Sequence, residues 1–401
     1  MTIKGRKSMR KLCAILICIS LIFLPGCRDE KEMNEIGIVT GIAIDKDLQN
    51  ERYIITLQVI LPANMQKKDA NKEKPYKNIT GEGDTIFDAQ RSLSKKYERI
   101  PFYSHNRVVI INENVAKEGL SNVLDVFTRD NESRDNVMLV ISKDTKASNI
   151  LDYENKTEQI PSISLSKFEN ILFRNPGSVY KTVLDFKQNS YSFGIDPVLG
   201  VFSLIPSTHM PQTDTNTKKA EINYAGSAVF VYDKLQGFLN EDETEAYNFV
   251  TGKVKSAVIN INGMQNKNAL ITTQVLSEQN SIVPHLDGSQ ISFNININDV
   301  ANIDEIHDNT DVTDVAIINK LENEHNEKVK AKVEALIKKM QTEYKSDIFG
   351  LGQSFYRKYP HQWEKIKNNW SKIFPTIRCK VTVKSTLVRS GLTDKRNNTQ
   401  Y

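Results

Sequence analysis

The N-terminus constrains this chain more than any other segment. Its first eleven residues contain no acid and five basic side chains: Lys4, Arg6, Lys7, Arg10 and Lys11. An almost unbroken apolar stretch follows from Leu12 to Leu24. A basic segment followed by a short apolar segment is typical of a secretory signal. Because a membrane-spanning helix needs about 20 apolar residues, we predict that residues 1–26 are a signal peptide rather than a transmembrane anchor.

Cys27 lies directly after this stretch. The sequence Leu24-Pro25-Gly26-Cys27 resembles the lipobox of bacterial lipoproteins, although Pro25 replaces the small residue that is usual there. In that class the peptide is cleaved before the cysteine, the thiol receives a diacylglycerol, and the new amine is usually acylated. Each buried methylene contributes about 0.8 kcal/mol, so two or more chains anchor a protein firmly. The resemblance implies that Cys27 is lipidated and holds the mature chain on the outer face of the cell membrane.

The charge of the mature chain argues against nucleic acid as a partner. The full sequence has 53 basic and 49 acidic residues and a formal net charge of +4. Without the five basic residues of the signal segment, 48 basic residues remain against 49 acidic ones, a charge of −1. A nearly neutral protein lacks the positive field that attracts nucleic acid.

The cysteine count predicts a fold without disulfides. Cys13 and Cys18 lie in the signal segment, and acylation of Cys27 would leave Cys379 without a partner. Cys379 alternates with polar residues in the segment 377–384, which predicts a half-buried strand. We therefore expect Cys379 to be a reduced cysteine on the apolar face of that strand.

The first half of the mature chain alternates strand and helix patterns. Residues 36–61 predict a hairpin, and residues 62–83 a polar loop that contains Lys67, Lys68, Lys72, Lys74 and Lys77. Apolar side chains at helical spacing then predict three helices: Ile86, Ala89, Leu93 and Tyr97 after a cap at Asp84 or Thr85; Leu120, Val123, Leu124 and Phe127; and Ala147, Ile150 and Leu151. Arg107–Ile111 and Val137–Ile141 predict buried strands between them. This alternation favours a sheet covered by helices.

The second half begins after a linker predicted at 206–221, where prolines, Thr, Asn and Lys cluster. It predicts a hairpin at 224–239, a helix at 241–250, strands within 253–300 and a long helix at 315–345. We therefore predict an α/β protein of α+β type with three sequential domains, each a mixed or antiparallel sheet packed with helices. The predicted domains are 27–205, which carries Cys27, then 222–300, and finally 301–394 with the long helix and the last strand.

The sequence offers little catalytic chemistry. Its six histidines form no metal-binding pair, and it lacks the nucleophile, phosphate-loop and dinucleotide motifs. We therefore predict no catalytic residues, no metal site and no cofactor. The remaining candidates have ordinary interpretations: packing or capping for His105, a salt-bridge and capping network at 129–135, turns at 81–83 and 350–352, and core packing or docking for Trp363 and Trp370 on one helix. Asp347-Ile348-Phe349-Gly350 resembles a kinase metal motif only superficially, because nothing else of a kinase is present.

Several segments in a shared order resemble the Ger(x)C family, the lipoprotein C subunits of spore germinant receptors in Bacillus-type bacteria. Their order and spacing carry the resemblance, which spans nearly all of the mature chain. The segments are 26–29, 35–36, 41–45, 83–89, 104–105, 116–120, 129–130, Arg134, 226–230, 233–239, 347–352 and Trp363. Arg28, where the family often has Trp, and Gly81-Glu82-Gly83, without the frequent Arg-Gly, depart from the family pattern.

This resemblance implies a non-enzymatic subunit that acts in nutrient-triggered germination. It implies integral membrane A and B subunits as partners, the spore inner membrane as location, and a three-domain α/β fold. It transfers one modified residue, Cys27, and leaves open whether the subunit binds the nutrient. A solute-binding lipoprotein, which closes two lobes on a ligand through a hinge, is the alternative. A lipid-anchored enzyme is a third hypothesis, which the absence of motifs disfavours.

Overall fold

The structure is a computed structural model that describes residues 35–62, 73–129, 134–153, 158–206, 220–266 and 268–389. The predicted signal peptide, Cys27, and Lys67, Lys68 and Lys72 lie outside these residues. The described strands form two sheets, one of nine strands and one of four.

The larger sheet has a parallel centre and antiparallel flanks. Its order is β3-β2-β1-β5-β6-β7-β8-β9, and the short β4 pairs with the start of β1. The strands β1, β5, β6 and β7 are parallel to one another. The bounds are β1 Ile36–Asp47, β2 Arg52–Ile60, β3 Tyr76–Gly83, β4 Ile100–Phe102, β5 Val108–Asn112, β6 Met138–Ser142, β7 Val198–Pro206, β8 Ala220–Val231 and β9 Lys234–Leu239.

Helices cover both faces of this sheet, because its central strands are apolar on both sides. The helices are α1 Ile86–Ser92, α2 Glu113–Glu118, α3 Ser121–Arg129, α4 Ala147–Leu151, α5 Pro161–Ser166 and α6 Val183–Ser190. Helices α1, α2, α3 and α6 bury their apolar side chains in one cluster, and α4 and α5 pack in a second cluster on the other face. The predicted mixed α/β fold with helix-packed sheets is confirmed.

The smaller sheet is built around a long hairpin. Its order is β10-β11-β12-β13, with β13 parallel to β12. The bounds are β10 Ala257–Asn262, β11 Leu270–Asp287, β12 Gln290–Ile306 and β13 Arg378–Arg389. The helices of this half are α7 Glu241–Thr251, α8 Val315–Lys339, α9 Leu351–Lys358, α10 Pro360–Ile366 and α11 Trp370–Ile373. A π-helical turn, Met340–Tyr344, extends α8, and α8 buries its apolar stripe on the sheet.

The predicted linker connects two neighbouring strands. Pro206 of β7 lies opposite Ala220 of β8, so both sides of the linker join the larger sheet. The predicted middle unit, 222–300, therefore supplies β8 and β9 to the larger sheet and β10, β11 and β12 to the smaller one. One apolar cluster continues from β8, β9 and α7 into the smaller sheet. The domain boundaries themselves stay a prediction.

Local patterns located many elements within a few residues, but the predicted loop at 62–83 is wrong at its end, because Tyr76–Gly83 forms β3 and pairs with β2. Thr85 caps α1 by accepting a hydrogen bond from the Asp88 N–H, which matches the predicted start of that helix. The stripe Ile86, Ala89, Leu93 and Tyr97 is buried. The hairpin at 224–239 and the final strand also lie where the alternation predicts them.

Candidate functional site

A close contact between two glycines joins the two halves of the chain. A Cβ atom added to Gly352 at the start of α9 would lie 2.4 Å from the Cα atom of Gly194. A Cβ added to Gly194, whose φ is +76°, would lie 2.7 Å from a ring carbon of Trp363. Only glycine leaves room for this approach, so these positions bring the segment before β7 against α9 and α10.

Asp347 is the buried polar centre of this junction. Its carboxylate accepts three hydrogen bonds, from the Leu351 N–H at 3.0 Å, the Gly352 N–H at 2.9 Å and the Trp370 indole at 2.9 Å. Only 2% of the residue is exposed. Burial raises the pKa of Asp347 to about 7, although the three donors favour the charged form. The carboxylate thus orders the start of α9 and fixes Trp370.

Asp196 links Asp347 to the larger sheet. The Asp347 N–H donates to Asp196 Oδ2 at 2.9 Å, and the Asp196 N–H donates to the Asp347 carbonyl at 2.9 Å. Asp196 Oδ1 accepts from the Tyr232 N–H at 3.1 Å. Burial raises the pKa of Asp196 above its usual value. Segments 151 residues apart are therefore joined by reciprocal hydrogen bonds.

Two tryptophans pack beside this network. The rings of Trp363 and Trp370 meet edge to face with centroids 5.2 Å apart, and both lie near Phe355. Of the two predicted roles, core packing and docking, their burial supports core packing. The prediction of one shared helix is wrong, because the 3₁₀ turn Lys367–Asn369 separates α10 from α11.

A surface groove of about 440 Å³ opens next to this junction. Four aromatic rings, two cations, one acid and two neutral polar residues form its walls; they are Tyr191, Ser192, Phe193, Gln353, Tyr356, Arg357, Trp363, Glu364 and Lys367. We call this surface the aromatic groove. The sequence did not predict it, since its walls come from segments about 160 residues apart. A second groove of about 580 Å³ lies beside α1 and β4.

A second buried polar cluster lies between α8 and the smaller sheet. The Thr273 hydroxyl donates to the Ile259 carbonyl, so its oxygen accepts from Nδ1 of His325 at 2.9 Å. Nε2 of His325 then faces Oδ1 of Asp299 at 3.5 Å, and Ser385 donates to Oδ2 of Asp299 at 2.8 Å. His325 and Asp299 have fully buried side chains.

This cluster contains serine, histidine and aspartate but lacks the geometry of a hydrolase. Ser385 bonds to the aspartate rather than to the histidine, so the histidine is not positioned to take the proton of its hydroxyl as it does in a catalytic triad. The burial of all three residues also denies a substrate access. Among the described residues, no three histidine, cysteine, aspartate or glutamate side chains converge as a metal site requires.

The other residues considered in the sequence analysis make packing contacts or ion pairs. His105 ends a 3₁₀ turn, with its ring 6.0 Å from that of Phe102. Arg129 pairs with Asp125 at 2.6 Å and Asp135 with Lys187 at 2.9 Å, while residues 130–133 lie outside the described part. Cys379 is half-buried on the apolar face of β13.

The sequence analysis did not predict the roles of Asp196, Asp347, Asp299 and His325. Asp299 left a signal, since it continues the inward-facing series Phe293, Ile295 and Ile297 of β12. His325 left another, since it lies between Leu321 and Val329 on the buried stripe of α8. An acid at an apolar position of an alternating strand indicates a buried polar contact.

In the part of the chain that the structure describes, no helix combines the length and apolar character needed to cross a membrane. The features of the described residues are two buried polar networks, a packed junction between the two halves and surface grooves.

Comparisons with known proteins identify the family. Residues 29–204 match the model of the spore germination protein N-terminal domain, and residues 225–391 match the C-terminal model described as spore germination B3/GerAC like. The two matches are separated by residues 205–224, a segment that contains the whole predicted linker.

Curated relatives extend over almost the whole chain. Spore germination protein KC of Bacillus subtilis (strain 168) is 30% identical over 96% of this chain and 97% of its own. Spore germination protein B3 of the same organism is 25% identical over 94% of this chain and 96% of its own. The crystal structure of the GerBC protein has the same fold, with a TM-score of 0.55 and 21% identity over 87% of this chain and 97% of that one. The resemblance to the Ger(x)C family is thereby confirmed, and the chain belongs to the GerAC-like family of spore germination proteins.

Proposed function

We propose that this chain is the lipid-anchored, non-catalytic C subunit of a nutrient germinant receptor. It is held by acylated Cys27 on the outer face of the cell membrane, which in spores is the inner membrane. There it contacts integral A and B subunits and is required for nutrient-triggered germination. The observation that carries the proposal is the family match along both halves of the chain.

The position of Cys27 supports contact with membrane partners. Ile36 at the start of β1 lies nine positions after Cys27, so the chain between them can span at most about 30 Å. Confinement to the membrane raises the effective concentration of partners in the same membrane. Modest protein contacts then suffice for assembly.

The solute-binding alternative needs a hinge between two lobes. At the junction described above, Gly194 and Gly352 are in contact, and Asp196 and Asp347 exchange hydrogen bonds. A packed junction of this kind opposes the opening and closing of lobes, so the structure gives the alternative no support.

The anchor is tested by the variant Cys27→Ala. Wild-type protein should sediment with membranes, and its N-terminal peptide should carry the lipid mass on Cys27. The variant should be uncleaved or soluble. A mature N-terminus elsewhere, or no lipid on Cys27, contradicts the anchor.

The receptor role is tested by deletion of the gene in spores. The mutant should lose the response to one class of nutrients and still germinate with nutrient-independent triggers. Co-isolation of the wild-type protein with tagged integral subunits from solubilised spore membranes completes the test. Normal germination with every nutrient, in a strain without paralogous receptors, argues against the proposal.

A further inference from the structure

The aromatic groove concentrates the exposed aromatic rings of the protein. Three of its walls are Tyr191, Phe193 and Tyr356, with exposed fractions of 76%, 56% and 50%. In the described part of the chain only two other aromatic rings, those of Phe87 and Tyr232, are similarly exposed. Clustered exposed rings mark interaction surfaces, and Tyr, Trp and Arg are the residues that most often dominate binding energy.

The groove is preformed in the protein without a partner. Phe193 directly precedes Gly194, which lies against Gly352 and Trp363. Trp363 is both a wall of the groove and a buried core residue, 3% exposed. Because the walls rest on a packed junction, little conformational entropy is lost when a ligand enters.

The charges of the groove indicate what a ligand must carry. Lys367 pairs with Glu364 at 2.7 Å and lies 5.5 Å from the centre of the Phe193 ring. Arg357 is exposed on the wall, and among the described residues no acid lies within ion-pair distance of it. The groove therefore has one unbalanced positive charge beside its aromatic rings, which a carboxylate would complement.

We propose that the aromatic groove binds a peptide segment of an integral receptor subunit that presents an apolar side chain next to a carboxylate. This inference rests on the proposed function and names the surface through which it acts. The apolar side chain packs among Tyr191, Phe193 and Tyr356, and the carboxylate meets Arg357. Nine residues line the groove, fewer than the roughly 20 residues that each side of a stable interface contributes, so it serves as an anchor point within a contact that membrane confinement assists.

The first test measures co-isolation of tagged integral subunits with the full lipidated chain from solubilised membranes. Phe193→Ala and Arg357→Glu should each lower the yield about tenfold or more, as loss of a dominant contact does, while Arg357→Lys should retain part of it. Phe87→Ala and Arg91→Glu are the matched controls, since Phe87 is 53% exposed and the Arg91 guanidinium lies 5.3 Å from its ring centre. The controls should stay within twofold of wild type.

The second test leaves the chain unaltered except for a photoreactive side chain at Tyr191 or Tyr356. Crosslinks to an integral subunit support the inference, and crosslinks to lipid or to a second copy of this chain overturn it. If wild type co-isolates and the groove variants do so equally, the inference fails while the proposed function stands. If wild type itself co-isolates with no integral subunit, the proposed function fails.

Discussion

The indole Nε1 of Trp370 donates a 2.9 Å hydrogen bond to Oδ2 of Asp347, inside the junction between the two halves of the protein. The same oxygen accepts from the Gly352 N–H. One buried carboxylate therefore positions both the start of α9 and the aromatic packing behind the groove. These hydrogen bonds account for the burial of the Asp347 carboxylate as a structural group.

We predict that Trp370→Phe destabilises the protein by about 1–3 kcal/mol, with a loss that grows as the pH rises through 7. The pKa of Asp347 is raised to about 7. Its contribution to stability is complete below its unfolded pKa near 4 and declines as the pH approaches 7. Removing a donor to the carboxylate destabilises its charged form, so the free energy of unfolding of the variant falls furthest below that of wild type above pH 7.

Denaturant unfolding between pH 5 and pH 8.5 measures this difference. Trp363→Phe is the control, because it shortens the neighbouring ring, which has no bond to Asp347. Its cost should not change with pH. Equal pH profiles for the two variants would contradict the role assigned to the indole.

Gly352→Ala should destabilise the protein, because the steric cost of the added methyl exceeds the gain in helix propensity from glycine to alanine. The added methyl would lie 2.4 Å from Gly194 Cα and 2.8 Å from rings of Trp363 and Trp370. Overpacking of this kind costs about 1–3 kcal/mol. Thermal unfolding of Gly352→Ala beside Gln353→Ala, the next residue of α9, separates the steric effect from helix propensity, and an unchanged melting temperature for Gly352→Ala would refute the close contact.

Sequence patterns predicted local elements well because they depend on neighbouring residues. The cap at Thr85, the stripe of α1 and the alternation of β13 are properties of short segments. Strand pairing across the linker is different, since Pro206 and Ala220 meet through a sheet whose order no local pattern records. The junction is harder still to predict, because Asp347 acquires its role from Asp196, which lies 151 residues away.

Glu278→Gln should stabilise the protein at neutral and alkaline pH. Burial, together with the charge of Asp299 on the neighbouring strand, raises the pKa of Glu278 to about 8. In the folded protein this carboxyl is therefore neutral below about pH 8, whereas in the unfolded chain it ionises above about pH 4.5. The stability of the wild-type protein is thus full below about pH 4.5 and declines as the pH rises towards 8. The glutamine stays neutral at every pH and avoids this loss.

We expect a gain of about 2 kcal/mol at pH 8.5, after allowance for partial solvent exposure, and no gain near pH 4. Chemical unfolding across this range provides the measurement. Glu324→Gln, at an exposed position of α8, is the matched control and should change little. A constant difference between Glu278→Gln and wild type at all pH values would show that the carboxyl group does not titrate abnormally.

Cys379 should react slowly with thiol reagents in the native protein. It lies on the inner face of β13, half-buried against the core, opposite Phe293 of β12. Burial, with the Asp347 charge as a smaller cause, raises the pKa of its thiol to about 12 from an ordinary 9.0. The thiolate is the reactive form, so a shift of this size lowers the reactive fraction at neutral pH by about a thousandfold.

The control for this prediction is a thiol at the neighbouring, exposed position of β13. Lys380 is the next residue of β13 and is exposed on the opposite face, so Cys379→Ser/Lys380→Cys moves the single thiol by one position from core to solvent. In a chain that begins at Arg28, this variant should be labelled rapidly, whereas native Cys379 should be labelled more slowly by a factor on the order of a thousand. Both should react equally fast in denaturant. Rapid labelling of native Cys379 would mean that β13 does not hold this side chain against the core.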